Sequence, residues 1–121
     1  MQEGKRQKQV AALLQDELSR IFQYLGLNMI DGAIVTISSV KITPDLFDAR
    51  VHLSFFPPAN AASGMKKIEE HAWDIKKELV SAVKHQLRSM PQLNYFLDDS
   101  LDQVDKMEAL FRKIKDQDNP E

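Results

Sequence analysis

Lys77, Ser81, Lys84 and Arg88 stand at i, i+4, i+7 and i+11. On a helix that turns about 100° per residue these steps return to one face, roughly opposite Ile75, Leu79 and Val83. Three cations and a hydroxyl in one line can hold a row of phosphates. A solvated helix face reads the same way, so the stripe leaves phosphate binding and plain solvation both open. The lack of acid within the stripe favours an anionic ligand, although Glu78 flanks it. Lys5, Arg6 and Lys8 form a second basic cluster near the N-terminus, where flexible basic arms often meet nucleic acid.

Other chemistries find less support. Asp98, Asp99, Asp102 and Asp105 could attract a hard cation. However, no glycine stands at the sharp-turn position of a calcium loop, and acids at the start of a helix are favoured by its dipole. We read them as structural. His52, His71 and His85 lack metal-ligand spacing and a nearby carboxylate in a catalytic pattern, so they too read as structural. No serine or threonine has a base at a recognisable spacing, and no glycine-rich loop follows a strand to cradle a nucleotide. With no cysteine in the chain, a thiol nucleophile, a disulfide framework and a thiolate metal site are excluded. No catalytic residue, metal or cofactor is expected.

The elements that position the basic clusters follow from composition and periodicity. A chain of 121 residues with 43% hydrophobic content is enough for one ordinary core. We expect one domain over residues 1–121, with 114–121 a frayed polar tail. No apolar run approaches a membrane span, and the opening MQEGKRQKQVAALLQ lacks the apolar core of a secretory signal, which leads us to expect a cytoplasmic protein. The net charge of −2 conceals an asymmetry: residues 1–30, 31–63, 64–91 and 92–121 carry +1, −1, +2 and −4. The acid is concentrated in the last quarter.

Val10, Leu13, Leu14, Leu18, Ile21, Phe22 and Leu25 make the apolar stripe of a first helix, which Gly26 should stop. AIVTISSVKI is rich in β-branched residues, and its alternation slips near Ser38 and Ser39, as at a bulge. Thr43-Pro44-Asp45 is turn chemistry, and DARVHLSFF places Ala49, Val51, Leu53 and Phe55 on one side of a second strand. Helical periodicity runs from about Met65 to Leu87, with Pro91 closing it. QLNYFLD alternates as a third strand, with Leu93, Tyr95 and Leu97 expected in the core. Ser100 with Gln103 makes a capping box for a last helix. The expectation is an α+β domain with strands near 33–42, 48–56 and 92–98 and all long helices on one sheet face.

Two segments carry a resemblance. VTISSVKITPDLFDARVHLSF resembles the hairpin of the ribosome-binding factor A family, with its valine-rich strand, Ser/Thr-Pro-Asp-Leu turn and Ala-x-Val-x-Val/Leu-Ser strand. LRSMPQLNYFLDDSLD resembles the same family's Leu-Arg-x-x-Pro-Glu-Leu, aromatic, Asp-x-Ser-Leu ending. The likeness runs from about Lys5 to Ile114. It implies a type II KH-like fold: a three-stranded sheet with helices packed on one face plus a C-terminal helix. It also implies a monomeric assembly factor that binds the immature small ribosomal subunit and its rRNA. Such a factor assists late maturation and 5′-end processing, and a ribosome-associated GTPase triggers its release. The family's basic positions correspond here to Lys77, Lys84 and Arg88 and to Lys5, Arg6 and Lys8.

The chain departs from the family pattern in three places. EEHAWDIKKEL has no glycine where the family has an Ala-x-Gly kink, yet the length of the periodic run still leads us to expect a bend between Glu70 and Ile75. GLNMIDG replaces an Asp-Pro-Arg after the first helix, and Gln92 stands where glutamate is usual. Two other functional classes remain: a protein-interaction module with no direct RNA contact, and an RNA-processing enzyme, for which no acid or histidine constellation is found.

Overall fold

The computed structural model describes residues 4–118, the side chains of 101, 102 and 115–118 aside. Helix α1 (Lys5–Tyr24) buries Val10, Ala11, Leu14, Leu18, Ile21 and Phe22, the stripe read from the sequence. It stops at Gly26, whose φ of +75° lets the chain reverse. The Gly26 N–H donates to the Gln23 carbonyl at 3.2 Å and the Leu27 N–H to that of Phe22 at 2.7 Å, the paired bonds of a Schellman motif. Leu27, just past the turn, is buried.

The sheet has four strands rather than three, in the order β1 (Met29–Ile30), β2 (Ala33–Ile42), β3 (Asp48–Phe56), β4 (Gln92–Leu97). The added strand is made by Asp31-Gly32, both at positive φ, which form a two-residue hairpin between Ile30 and Ala33. β2 and β3 pair antiparallel, and their register shifts between Ile37 and Ser39, where the bulge was expected. β4 lies parallel to β3. A parallel neighbour requires a long crossover, and the helical segment between them supplies it.

That crossover is α2 (Ala61–Glu70) and α3 (Ala72–Val83), broken at His71 with φ −97° and ψ 10°. The expected bend is therefore present without a glycine. Bending is eased because the His71 N–H is shared between the Lys67 and Ile68 carbonyls, both at 3.1 Å. α3 ends at Val83, earlier than its periodicity indicated. The Val83 carbonyl then accepts N–H groups from both Gln86 and Leu87, tightening the chain into a turn that leads to buried Pro91 and the edge strand.

Ala49, Val51, Leu53 and Phe55 face α1, α2 and α3 across the main core, together with Ile68, Ile75, Leu79 and Val83. Gly64 of α2 is buried there, and a Cβ added to it would run into the Phe55 ring. α4 (Leu101–Asp118) does not join this side. Its Met107 takes the Thr36 hydroxyl as a partner at 3.0 Å, and its Phe111 ring lies 5.2 Å from that of Phe56. Thr36 and Phe56 point away from the main core, so helices cover both faces of the sheet. The expectation of all long helices on one face is corrected by the outward apolar residues Ile34 and Phe56, which need a cover of their own. α4 also runs through positions 114–118 of the expected tail. No described helix is long and apolar enough to cross a membrane.

Candidate nucleic-acid interface

All six basic residues singled out in the sequence are exposed, and among the described residues none of them enters an ion pair. Lys5, Arg6 and Lys8 occupy the first turns of α1 rather than a loose arm. Gln7 pins this helix start: its Nε2 donates to the Ile42 carbonyl at 2.9 Å, and its Oε1 accepts the Gly4 N–H at 2.8 Å. Three cations are thus held at a helix N-terminus, where the dipole disfavours positive charge and where, among the described residues, the first turn carries no acid to offset them.

The early end of α3 changes the geometry of the second cluster. Lys77 and Ser81 lie on the helix, Lys84 is its C-cap residue, and Arg88 falls in the irregular segment beyond it. Arg88 therefore does not extend a straight helical stripe. It turns instead toward α1. Arg6 and Arg88 line the same cleft, of about 450 Å³, whose walls include Val10, Leu46, Leu87 and Pro91. A neighbouring hollow of about 140 Å³ is lined by both Lys84 and Arg88. Arg6, Arg88 and Lys84 therefore form one continuous basic surface, built from segments some eighty residues apart in the chain.

Lys77 lies farther along α3, with its Nζ 5.5 Å from the centroid of the Trp73 ring. Trp73 is 69% exposed and one helical turn before Lys77, a cation–π pair that the charge pattern alone did not reveal. The i, i+4 spacing of the two was its only signal. Nearby, Ala72, Lys76, Gln92, Leu93 and Tyr95 line a groove between α3 and β4. The Tyr95 hydroxyl is buried without a hydrogen-bond partner among the described residues, and burial raises its pKa.

The acidic end behaves differently. Asp98 accepts the Ser38 hydroxyl at 2.7 Å and the Ser100 N–H at 3.2 Å, while its own carbonyl accepts the Ser54 hydroxyl at 2.9 Å. The Ser38 bond, ahead of those from Ser100, holds the Asp98 carboxyl below its ordinary range. Ser100 Oγ accepts the Gln103 N–H at 3.3 Å, one bond of the expected capping box. Among the described residues no group of three or more His, Asp or Glu is placed to hold a metal ion. Leu97, expected in the core, is 40% exposed because it ends the edge strand.

Comparison with known proteins places this geometry in a family. The family model described as ribosome-binding factor A matches residues 6–111. A ribosome-binding factor A of Christiangramia forsetii is 36% identical over 121 residues, covering 99% of this chain and 90% of its own. That of Chloroherpeton thalassium is 38% identical over 116 residues, covering 95% and 91%. Among solved structures, the Thermus thermophilus factor superposes with a TM-score of 0.62 at 17% identity, over 75% of this chain and 94% of its own. The Thermus factor as fitted into a cryo-electron-microscopy map of its complex with the 30S subunit gives 0.56 at 18% identity, over 71% and 88%. The chain belongs to the ribosome-binding factor A family.

Proposed function

We propose that this chain binds the immature small ribosomal subunit through its rRNA, and that it assists late maturation, including processing at the rRNA 5′ end, without catalysing a reaction itself. The observation that carries this reading is the convergence of Arg6, Arg88 and Lys84, unpaired among the described residues, on one surface beside an open cleft. Cations gathered without carboxylates are suited to a polyanion, and phosphate contacts position a protein on RNA without needing base readout. The Thermus relative fitted onto the 30S subunit gives the same class of partner. In this reading the protein is a single-domain, cytoplasmic monomer, released by a ribosome-associated GTPase. Lys5, Lys8 and Lys77 extend the contact to either side.

The test is the salt dependence of binding to purified immature small subunits. Each phosphate neutralised releases counterions and adds roughly 0.7 to 0.9 to the slope of log affinity against log salt. Replacing Lys77, Lys84 and Arg88 together by alanine should weaken binding and flatten that slope by about 2. Replacing Asp105 should leave it unchanged. A folded triple variant with unaltered affinity and slope would make these side chains a solvated face and turn the search to a protein partner.

A further inference from the structure

α4 covers only one end of the outer sheet face. It begins beside Asp98, and by Phe111 it has reached Phe56, the last residue of β3. Toward the other end of the strands, the pairing register leaves two rows facing outward: Lys41, Arg50 and Asn94, then Ser39, His52 and Phe96. The His52 and Phe96 rings are stacked with centroids 5.6 Å apart and planes at 28°, and Phe96 is 43% exposed. Lys41 and Arg50 are directly opposed on neighbouring strands, both exposed, an arrangement that costs stability. Among the described residues neither enters an ion pair, and together they line a hollow of about 280 Å³ with Ile42, Thr43 and Pro44. Three carboxylates border the patch without pairing with either cation: Asp48 one row further on, Asp45 bonded to the Thr43 hydroxyl, and Asp98 bonded to Ser38 beside the His52 row.

We propose that this uncovered half of the sheet is a second RNA contact, which takes an unpaired stretch with one base stacked on Phe96 and flanking phosphates on Arg50 and Lys41. An exposed ring accepts the π-face of any base, but only a base free of its duplex can offer that face. Arg50 lies two residues from the His52–Phe96 row, about 7 Å along the strand, a span that one extended nucleotide bridges. The two opposed cations are relieved by the phosphate between them. An acidic peptide would satisfy the cations but would leave the stacked rings without a partner. This contact is separate from the Arg6–Arg88–Lys84 surface on the helical side and shares with that reading only the premise that the ligand is RNA.

The test uses the isotopically labelled full chain, titrated with a short single-stranded oligouridylate, its abasic counterpart and an RNA duplex of equal length. Amide shifts and fluorescence-anisotropy affinities are read for wild type, Phe96→Leu and a Lys41→Gln/Arg50→Gln double variant. The single strand should shift Lys41, Arg50, His52 and Phe96. Phe96→Leu should weaken single-strand binding roughly tenfold, while leaving the abasic and duplex affinities unchanged. If Phe96→Leu fails to fold, the double variant, altered only at exposed positions, carries the test and should weaken single-strand binding and flatten its salt slope. Shifts confined to the neighbourhood of Arg6, Lys84 and Arg88, with wild-type affinity in both variants, would overturn this contact and leave the helical surface standing. Oligoglutamate binding the patch as tightly as oligouridylate would also overturn it. Absence of binding to any RNA would remove both.

Discussion

α1 and α4 begin with opposite charge, and the two starts use it differently. At α4 the acids agree in sign with the helix dipole, and Asp98 is held by hydrogen bonds to Ser38 and Ser100. At α1, Lys5, Arg6 and Lys8 oppose the dipole, and among the described residues no carboxylate answers them. The fold accounts for the first set of charges. It does not account for the second, which is the set left available to a partner. Charge near a helix end is therefore informative about function when its sign is wrong for the helix.

The comparison predicts which lesions act on folding and which on binding. The largest effect on folding should come from Gly64→Ala, because the new methyl must displace the Phe55 ring in the main core. Overpacking of this kind costs about 1 to 3 kcal/mol. Chemical denaturation should show the loss, and binding to small subunits should fall only with the folded fraction. A variant as stable as wild type would mean that Phe55 has room to move.

Next in size is Asp98→Ala, which removes the bonds to Ser38 and Ser100 at the half-buried start of α4. We expect a loss of about 1 to 2 kcal/mol with no change in the salt slope of binding. Because the Ser38 bond lowers the folded pKa of Asp98, its contribution is present above the unfolded value of about 3.9 and disappears as pH falls through the folded value. The stability gap between wild type and Asp98→Asn should accordingly be constant near neutrality and narrow below about pH 4. A gap that widens on acidification would assign Asp98 the opposite role.

Much of this division was legible in the residues. Strands at 33–42 and 48–56, the bulge at Ser38 and the stop at Gly26 are local consequences of alternation and glycine geometry, and each lies where the sequence placed it. The β1–β2 hairpin was also signalled, by Asp31-Gly32 between short apolar runs, but a two-residue strand is too brief to show periodicity. The side taken by α4 was harder to read. Alternation on β3 assigns Ala49 to Phe55 to the core, and only the neighbouring pairs Ile34-Val35 and Phe55-Phe56 show that the other face also needs cover. The meeting of Arg6 with Arg88 was not legible, because it depends on where α3 stops and how the following turn is aimed. Periodicity continues to Leu87 although the helix does not.

The smallest effect is the sharpest test, since it should move stability and binding in opposite directions. Lys5 is the first residue of α1 and exposed, with Gly4 as the N-cap. Lys5→Glu replaces an unfavourable charge at the positive end of the helix dipole with a favourable one, a gain of about 0.3 to 1 kcal/mol at low salt. For a domain of this size that corresponds to a rise in Tm of a few degrees at most, roughly 2 to 6 °C per kcal/mol. Added salt should erase the gain, because the interaction is exposed to solvent. The same change places a carboxylate beside the Arg6 surface, so binding to small subunits should weaken despite the more stable fold. Lys5→Gln should fall between the two in both measurements. If Lys5→Glu instead destabilises the protein, Lys5 has a structural partner and the contrast between the two helix starts fails. If it stabilises without weakening binding, the contact begins at Arg6 and the first residue of α1 lies outside it.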